Sequence, residues 1–170
     1  TTDLCLSPES SERLGQTQFT QPALYLVSCL RAKAEQEGGR LPAFAAGHSV
    51  GEYAALQLAG AFSFADGLRF VAKRGEIMAK VSKGGMAAVI GLEPVQIQAI
   101  LADHEAEGVD LANFNSPGQT VISGPSEKIN ALAPTFKEAG AKLFVILKVS
   151  GAFHSRMMKT PAQEFATFIK

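Results

Sequence analysis

The sequence predicts an α/β fold in which a compact βαββαβ unit is inserted into a chain that otherwise reads strand–helix–helix. Three observations carry that reading. From Gly84 to Val149 short apolar runs alternate with helical stretches in the order βαββαβ, the ferredoxin-like signature. Upstream, the apolar run Ala43–Ala46 leads straight into Gly47-His48-Ser49-Val50-Gly51, a glycine-flanked serine between a strand and a helix. Sixteen glycines and no tryptophan among 170 residues suit tight strand-to-helix turns.

Taken in order, residues 1–19 are polar and read as irregular. Thr20 is placed to cap a helix whose first turn holds Pro22. Leu24, Val27, Leu30 and Ala34 then recur at helical spacing until Gly38-Gly39. Ala43–Ala46 reads as a buried strand, Glu52–Ala59 as a helix ending at Gly60. Ser63 with Asp66 resembles a capping box and starts a helix over Phe64–Ser82. In the inserted unit, strands are expected over Met86–Gly91, Asp110–Asn113, Thr120–Ser123 and Lys142–Val149. Helices are expected over Glu93–Glu107 and Ser126–Ala139. Two subdomains built this way imply a cleft, where sites form.

Composition excludes several classes of function. Of the 170 residues 46% are hydrophobic, and 16 Lys+Arg balance 16 Asp+Glu, leaving no basic field for nucleic acid. No apolar run approaches the ~18 residues of a membrane span, and no signal-like core is present. Cys5 and Cys29 lie outside any CxxC pattern and the chain has 3 His, so neither a metal centre nor a disulfide framework is expected. A reducing cytoplasm is the expected compartment. The residues call for no cofactor.

The five residues Gly47–Gly51 carry the chemistry. A GxSxG turn between strand and helix is a nucleophile elbow, in which both glycines are expected to allow a bend too tight for side chains. Ser49 is held exposed on it. The following N–H, that of Val50, can face an oxyanion, and the helix N-terminus adds its dipole. A structural turn is the competing reading. A serine nucleophile needs a base. His48 would project away from its neighbour and is expected to pack. His104 lies in a polar helical stretch and reads as a surface residue. His154, just past the last strand of the inserted unit, is the expected base, with a carbonyl or amide orienting its ring; a satisfied loop histidine is the alternative.

Helix geometry singles out Arg74. Its neighbours at i±3 and i±4 are Phe70, Val71, Ile77 and Met78, all apolar. Lys73, flanked by Arg69 and Glu76, reads as a solvated face. An arginine in apolar surroundings requires an anionic partner. A protein carboxylate and a substrate carboxylate gripped bidentately satisfy that need equally well.

Six motifs in order make the sequence resemble malonyl-CoA:acyl-carrier-protein transacylases and the acyltransferases of polyketide synthases. They are TQPAL (Thr20–Leu24), AGHSVGEYAAL (Ala46–Leu56), KRGEIM (Lys73–Met78), GGMAAVIGL (Gly84–Leu92), NFNSPGQTVISG (Asn113–Gly124) and VSGAFHSRMM (Val149–Met158). The phrase TQFTQPALY most resembles the free-standing acyltransferases that serve modular polyketide synthases. The resemblance implies that Ser49 takes the acyl group, that His154 is its base, and that Arg74 binds the malonyl carboxylate. It implies that Phe153 crowds out a 2-methyl branch, with Val50 agreeing. Gln21 and Asn115 match polar positions lining the family's site; turn hydrogen bonding accounts for either equally well.

The domains expected on this basis are a partial α/β-hydrolase-like subdomain over 1–83, a ferredoxin-like subdomain over 84–149, and a return to the larger subdomain over 150–170. The family's Gly-Gln-Gly turn and its C-terminal part are not in the sequence, so a fragment is expected. Such a piece is expected to dissolve poorly and turn over little by itself. The function implied is ping-pong transfer of malonyl from malonyl-CoA to the phosphopantetheine thiol of an acyl carrier protein, in polyketide or fatty acid biosynthesis. A serine acyl hydrolase (an editing thioesterase, for example) and a non-catalytic acyltransferase fragment are the alternatives. Neither nucleic acid nor membrane is an expected partner.

Overall fold

The computed structural model describes residues 5–7, 11–104, 106–149 and 151–170. The expectations for the remainder of the polar stretch before Thr20, for Glu105 and for Ser150 lie outside the described residues. The fold is α/β, with one four-stranded antiparallel sheet and helices. By its internal contacts the chain divides into two units, residues 1–77 with 169–170 and residues 78–168.

The first unit is helical. Helix α1 spans Ser11–Leu14, α2 Thr17–Glu37, α3 Gly51–Leu58, and α4 Phe64–Ala79, whose last residues enter the second unit. Helix α2 starts a turn earlier than Thr20 predicts, with Gln16 at the N-cap. The Thr20 hydroxyl lies against the Leu14 and Gln16 carbonyls, so it ties the entry to the helix without capping it. Ser63 does begin α4 as expected: its Oγ accepts from the Asp66 N–H at 3.1 Å.

The buried strand expected at Ala43–Ala46 is not formed. These residues are exposed and irregular, with Phe44 95% exposed. A strand persists only where a neighbour takes its N–H and C=O groups, and none of the four strands pairs with this segment. What packs in this unit is a cluster of Tyr25, Cys29, Val50 and Val71, with Tyr53, Ala54 and Leu68 against it.

The crossing of α2 and α4 depends on two glycines inside α4. A Cβ on Gly67 would lie 2.1 Å from the Tyr25 hydroxyl oxygen, and one on Gly75 would lie 2.9 Å from the Gln18 Cα. Because Gly67 meets Tyr25 and Gly75 meets Gln18, the two helices run antiparallel. The Tyr25 hydroxyl donates to the Phe64 carbonyl at 3.2 Å, and the two rings stack with centroids 5.6 Å apart.

The second unit reads β1 (Gly84–Ile90), α5 (Pro94–Asp103), β2 (Asp110–Ser116), β3 (Gln119–Pro125), α6 (Ser126–Ala131), α7 (Ala133–Glu138) and β4 (Leu143–Ile146). The sheet order is β2-β3-β1-β4. Pro117 and Gly118 turn the β2–β3 hairpin, Gly118 at φ +73° supplying the left-handed corner that a proline-led turn requires. One core closes under the sheet, with Ala87, Val89, Ile97, Ile122, Ile129 and Phe136 nearly or fully buried. Each large member contributes roughly 1.5–3 kcal/mol of apolar burial.

Two helices are shorter than periodicity predicts. The stretch expected as one helix over 126–139 breaks at Leu132, because Pro134 has no N–H for the preceding turn and restarts α7 within its first turn. Helix α5 stops at Asp103 with His104 as its C-cap, four residues short of Glu107, and the turn before β2 is made at Gly108, φ +86°. After β4 a 3₁₀ turn, Arg156–Met158, leads into α8, Lys159–Phe168. The Lys80 ammonium pairs with Glu164 of α8 at 3.1 Å.

Candidate active site

Left-handed backbone at non-glycine residues is uncommon and persists where surroundings over-determine it. Among the described residues it occurs at Ser49 (φ +52°), Lys83 (φ +66°) and His154 (φ +58°). Two of these three are the expected nucleophile and base.

At the elbow, Gly47 is an absolute steric requirement: a Cβ there would fall 2.0 Å from the Gly51 carbonyl carbon. Gly51 differs from the expectation, since a Cβ on it would meet nothing within 4 Å and its φ is not positive. The bend is therefore made by Gly47 and by the left-handed serine itself. The N–H groups of Gly51, Glu52 and Tyr53 turn back onto the carbonyls of His48, Ser49 and Val50 at 2.9–3.2 Å. The Val50 N–H is not among these turn bonds. The Val50 side chain is buried at 9% exposure and joins the unit's apolar cluster, anchoring the turn. His48, expected to pack, is exposed, and Val50 two residues on takes the inward position.

Arg74 comes to this elbow because Gly75 lets α4 lie against α2. The guanidinium donates to Gln21 Oε1 at 2.5 Å through one Nη and to Ser49 Oγ at 3.4 Å through the other. Gln21, 4% exposed, is fixed in turn by donating to Thr17 Oγ1 at 2.9 Å. The Arg74 Cζ sits 5.8 Å from the Tyr53 ring centroid, a cation–π contact. Burial lowers the Arg74 pKa from its ordinary value, with Tyr53 and Glu52 opposing the shift, and burial pushes the Tyr53 phenol up. A guanidinium stays charged regardless. Among the described residues no carboxylate forms an ion pair with Arg74; its close partners are neutral. Lys73, next in sequence, pairs with Glu76 at 3.1 Å as a surface residue would.

The structure thus brings Gln21, Ser49, Val50 and Arg74 together in the first unit. His154, Phe153 and Asn115 belong to the second. Phe153 is half-buried and its ring borders Gly151, where a Cβ would lie 2.8 Å from the ring. His154 is exposed, and Ser155 closes the corner behind it by donating to the Ala152 carbonyl at 2.7 Å and accepting from the Met157 N–H at 3.2 Å. Asn115, exposed near the end of β2, donates to Gln119 Oε1 at 3.1 Å across the hairpin. His104 is exposed at the end of α5.

Sequence reasoning gave no role to Tyr53, Gly67, Gly75, Asp110 or Arg156. Glycines inside an amphipathic helix were the available signal for two of them, since such residues persist for close packing. The others depend on contacts between distant parts of the chain.

Relatives agree with the motifs. The acyl transferase domain family matches residues 2–169. A polyketide biosynthesis protein, ThaF, from Burkholderia thailandensis is 52% identical over 98% of the chain, which spans 14% of that protein. The polyketide biosynthesis malonyl CoA-acyl carrier protein transacylase PksC from Bacillus subtilis is 47% identical over 98% of the chain, which spans 58% of it. The crystal structure of a malonyl CoA-acyl carrier protein transacylase from Burkholderia pseudomallei superposes with a TM-score of 0.93 at 41% identity, over 98% of this chain and 57% of that one. With a family match over residues 2–169 on a chain that carries a left-handed serine elbow and an arginine beside it, the chain belongs to the acyl transferase domain family.

Proposed function

We propose that this chain carries the acyl-transfer centre of a malonyl-CoA:acyl-carrier-protein transacylase serving polyketide or fatty acid biosynthesis in the cytoplasm. The observation that carries the proposal is Arg74, a half-buried cation 3.4 Å from Ser49 Oγ whose hydrogen-bond and ring partners among the described residues are neutral. A buried charge without a counter-ion is costly. A carboxylate arriving on the substrate supplies one, placed beside the nucleophile.

His154 takes the Ser49 proton as Oγ attacks the thioester carbonyl of malonyl-CoA. The Val50 N–H stabilises the oxyanion, and CoA leaves as its thiol on receiving that proton. In the second half-reaction the phosphopantetheine thiol of the carrier protein gives its proton to His154 and attacks the malonyl ester, and His154 passes that proton to Ser49 Oγ as the ester bond breaks. Arg74 grips the malonyl carboxylate, Gln21 fixes the guanidinium, and Asn115 lines the site. Phe153 excludes a 2-methyl branch. No cofactor or metal has a role in these steps.

The architecture proposed for this function is an α/β-hydrolase-like subdomain, represented in part over 1–83 and again over 150–170, with a ferredoxin-like subdomain over 84–149. The order β2-β3-β1-β4 supports the second assignment. Radiolabelled malonyl-CoA, offered with and without a phosphopantetheinylated carrier protein, tests the function. Label reaching the carrier is expected. Label released as free malonate indicates a hydrolase, and no label on any protein indicates a non-catalytic module.

A further inference from the structure

The corner carrying His154 is gripped on both sides, at residues 152 and 156, by one end of the sheet. Before it, Ala152 is fully buried against the first residue of β1: a Cβ on Gly84 would lie 2.0 Å from the Ala152 nitrogen. After it, the carboxylate of Asp110, the first residue of β2, takes hold of Arg156. Asp110 Oδ2 accepts from the Arg156 backbone N–H at 2.7 Å, and Oδ1 accepts from Nε at 2.9 Å and from Nη2 at 2.6 Å. Through β3 the two grips are neighbours, since Gly84 lies opposite Pro125 and Asp110 opposite Ser123. Residues 153–155 bridge them, and His154 stands at the middle with φ +58°.

We infer that Asp110 is a positioning residue for His154, acting through Arg156; the inference rests on reading His154 as the base. A left-handed non-glycine residue reverts to commoner backbone unless both flanks are fixed. A solvent-facing ion pair contributes little to stability. This one does something a simple pair does not, because the same carboxylate holds both the backbone amide and the side chain of Arg156. It therefore sets the chain direction two residues after His154. The bond to Arg156 holds the Asp110 carboxyl below its ordinary pKa. The grip is thus present at and above the usual carboxylate range and is lost only as pH falls through that lowered value. It stays closed wherever a neutral histidine can serve as a base.

The test compares Asp110→Asn, Arg156→Ala and the exchanged pair Asp110→Arg/Arg156→Asp in the intact protein, with His154→Ala beside them. The rate of Ser49 malonylation is expected to fall roughly 10- to 100-fold in each single variant, the range for a slightly misplaced catalytic group. KM for malonyl-CoA should hold within about twofold, since Arg74 is untouched. Ring resonances of His154 in histidine-labelled protein should shift in both Asp110→Asn and Arg156→Ala, and the exchanged pair should stay as slow as Asp110→Asn, because a guanidinium at position 110 cannot accept from the backbone N–H of residue 156. Unchanged His154 resonances with an unchanged rate overturn the inference, and so does a loss expressed only as lowered melting temperature. The underlying reading fails separately: a His154→Ala protein that malonylates normally removes the base, whatever Asp110 does to the ring. Should Arg156→Ala not fold, Asp110→Asn, which keeps shape and removes charge, decides by the same readouts.

Discussion

The two units keep a non-glycine residue, Ser49 in one and His154 in the other, in an uncommon backbone conformation by different means. In the second, a closed core under four strands supports the corner that carries His154, with Ile97, Ile122 and Phe136 fully buried. In the first, the buried cluster is small, while Leu24, Leu30, Leu41 and Phe44 are 50–95% exposed. Ser49 and Arg74 are held there by individual atoms, the missing Cβ of Gly47, the missing Cβ of Gly75 and the amide of Gln21. Stability and the geometry of the proposed site are therefore differently distributed. A core substitution should register in the second unit as unfolding, whereas a one-methyl change in the first should register as lost chemistry.

Gly47→Ala should break this contrast most severely. Its methyl group lands 2.0 Å from the Gly51 carbonyl carbon, so the elbow cannot form. Malonylation should fall by roughly 10⁴-fold or more, as far as in Ser49→Ala, because both remove the positioned nucleophile. Circular dichroism should show the sheet unit intact in both. A Gly47→Ala protein retaining a tenth of the wild-type rate would show that the elbow tolerates another geometry.

Phe136→Ala should act the other way. Deleting a fully buried ring from the core costs about 3–5 kcal/mol, read as a lower urea midpoint. Leu24→Ala, at 50% exposure, should change stability by only about 0.5 kcal/mol. Equal effects would mean that the first unit's surface leucine is covered and the contrast is false. By the same logic residues 84–149 expressed alone should retain a cooperative unfolding transition.

Gly75→Ala sharpens the contrast inside the first unit. Its Cβ would lie 2.9 Å from the Gln18 backbone, pushing α4 from α2 and Arg74 from Gln21. Malonyl transfer should drop roughly 10- to 100-fold, the cost of a misplacement near 1 Å. Acetyl transfer should change little. The smallest effect belongs to Phe153→Ser, which should raise methylmalonyl relative to malonyl transfer by no more than the ~1–3 kcal/mol that one methyl group commands. An unchanged ratio would place selectivity in other residues.

Much of this was legible in the sequence because it is local. Short apolar runs alternating with helical stretches mark the four strands within a few residues of their ends. The helical spacing of Phe70, Val71, Ile77 and Met78 around Arg74 singles it out from the sequence alone. Local pattern failed where the outcome depends on partners. Ala43–Ala46 has the composition of a buried strand, yet no strand pairs with it. Thr20 has the chemistry of a cap, but the helix starts at Thr17 and its hydroxyl bonds backward. Pro134 divides a helix that apolar periodicity joins. The neutral hydrogen-bond and ring partners of Arg74 are equally out of reach of the sequence, since helix spacing shows what flanks an arginine and not what bonds to it. Asp110 and Arg156, 46 positions apart, carry no sign of one another in the sequence.

The central proposal is that Arg74, which forms no ion pair with a carboxylate among the described residues, pairs with the carboxylate of the acyl group that Ser49 is proposed to accept. Offering the protein equimolar malonyl-CoA and acetyl-CoA and mapping the added mass by peptide tests it directly. The wild type should gain malonyl on the peptide containing Gly47–Gly51. Arg74→Ala should lose malonylation there by roughly 100-fold or more, the worth of a charge-assisted bidentate pair, while keeping or gaining acetyl on the same serine. A variant that loses both acyl groups equally, or that still prefers malonyl, would contradict the claim and make Arg74 a structural residue.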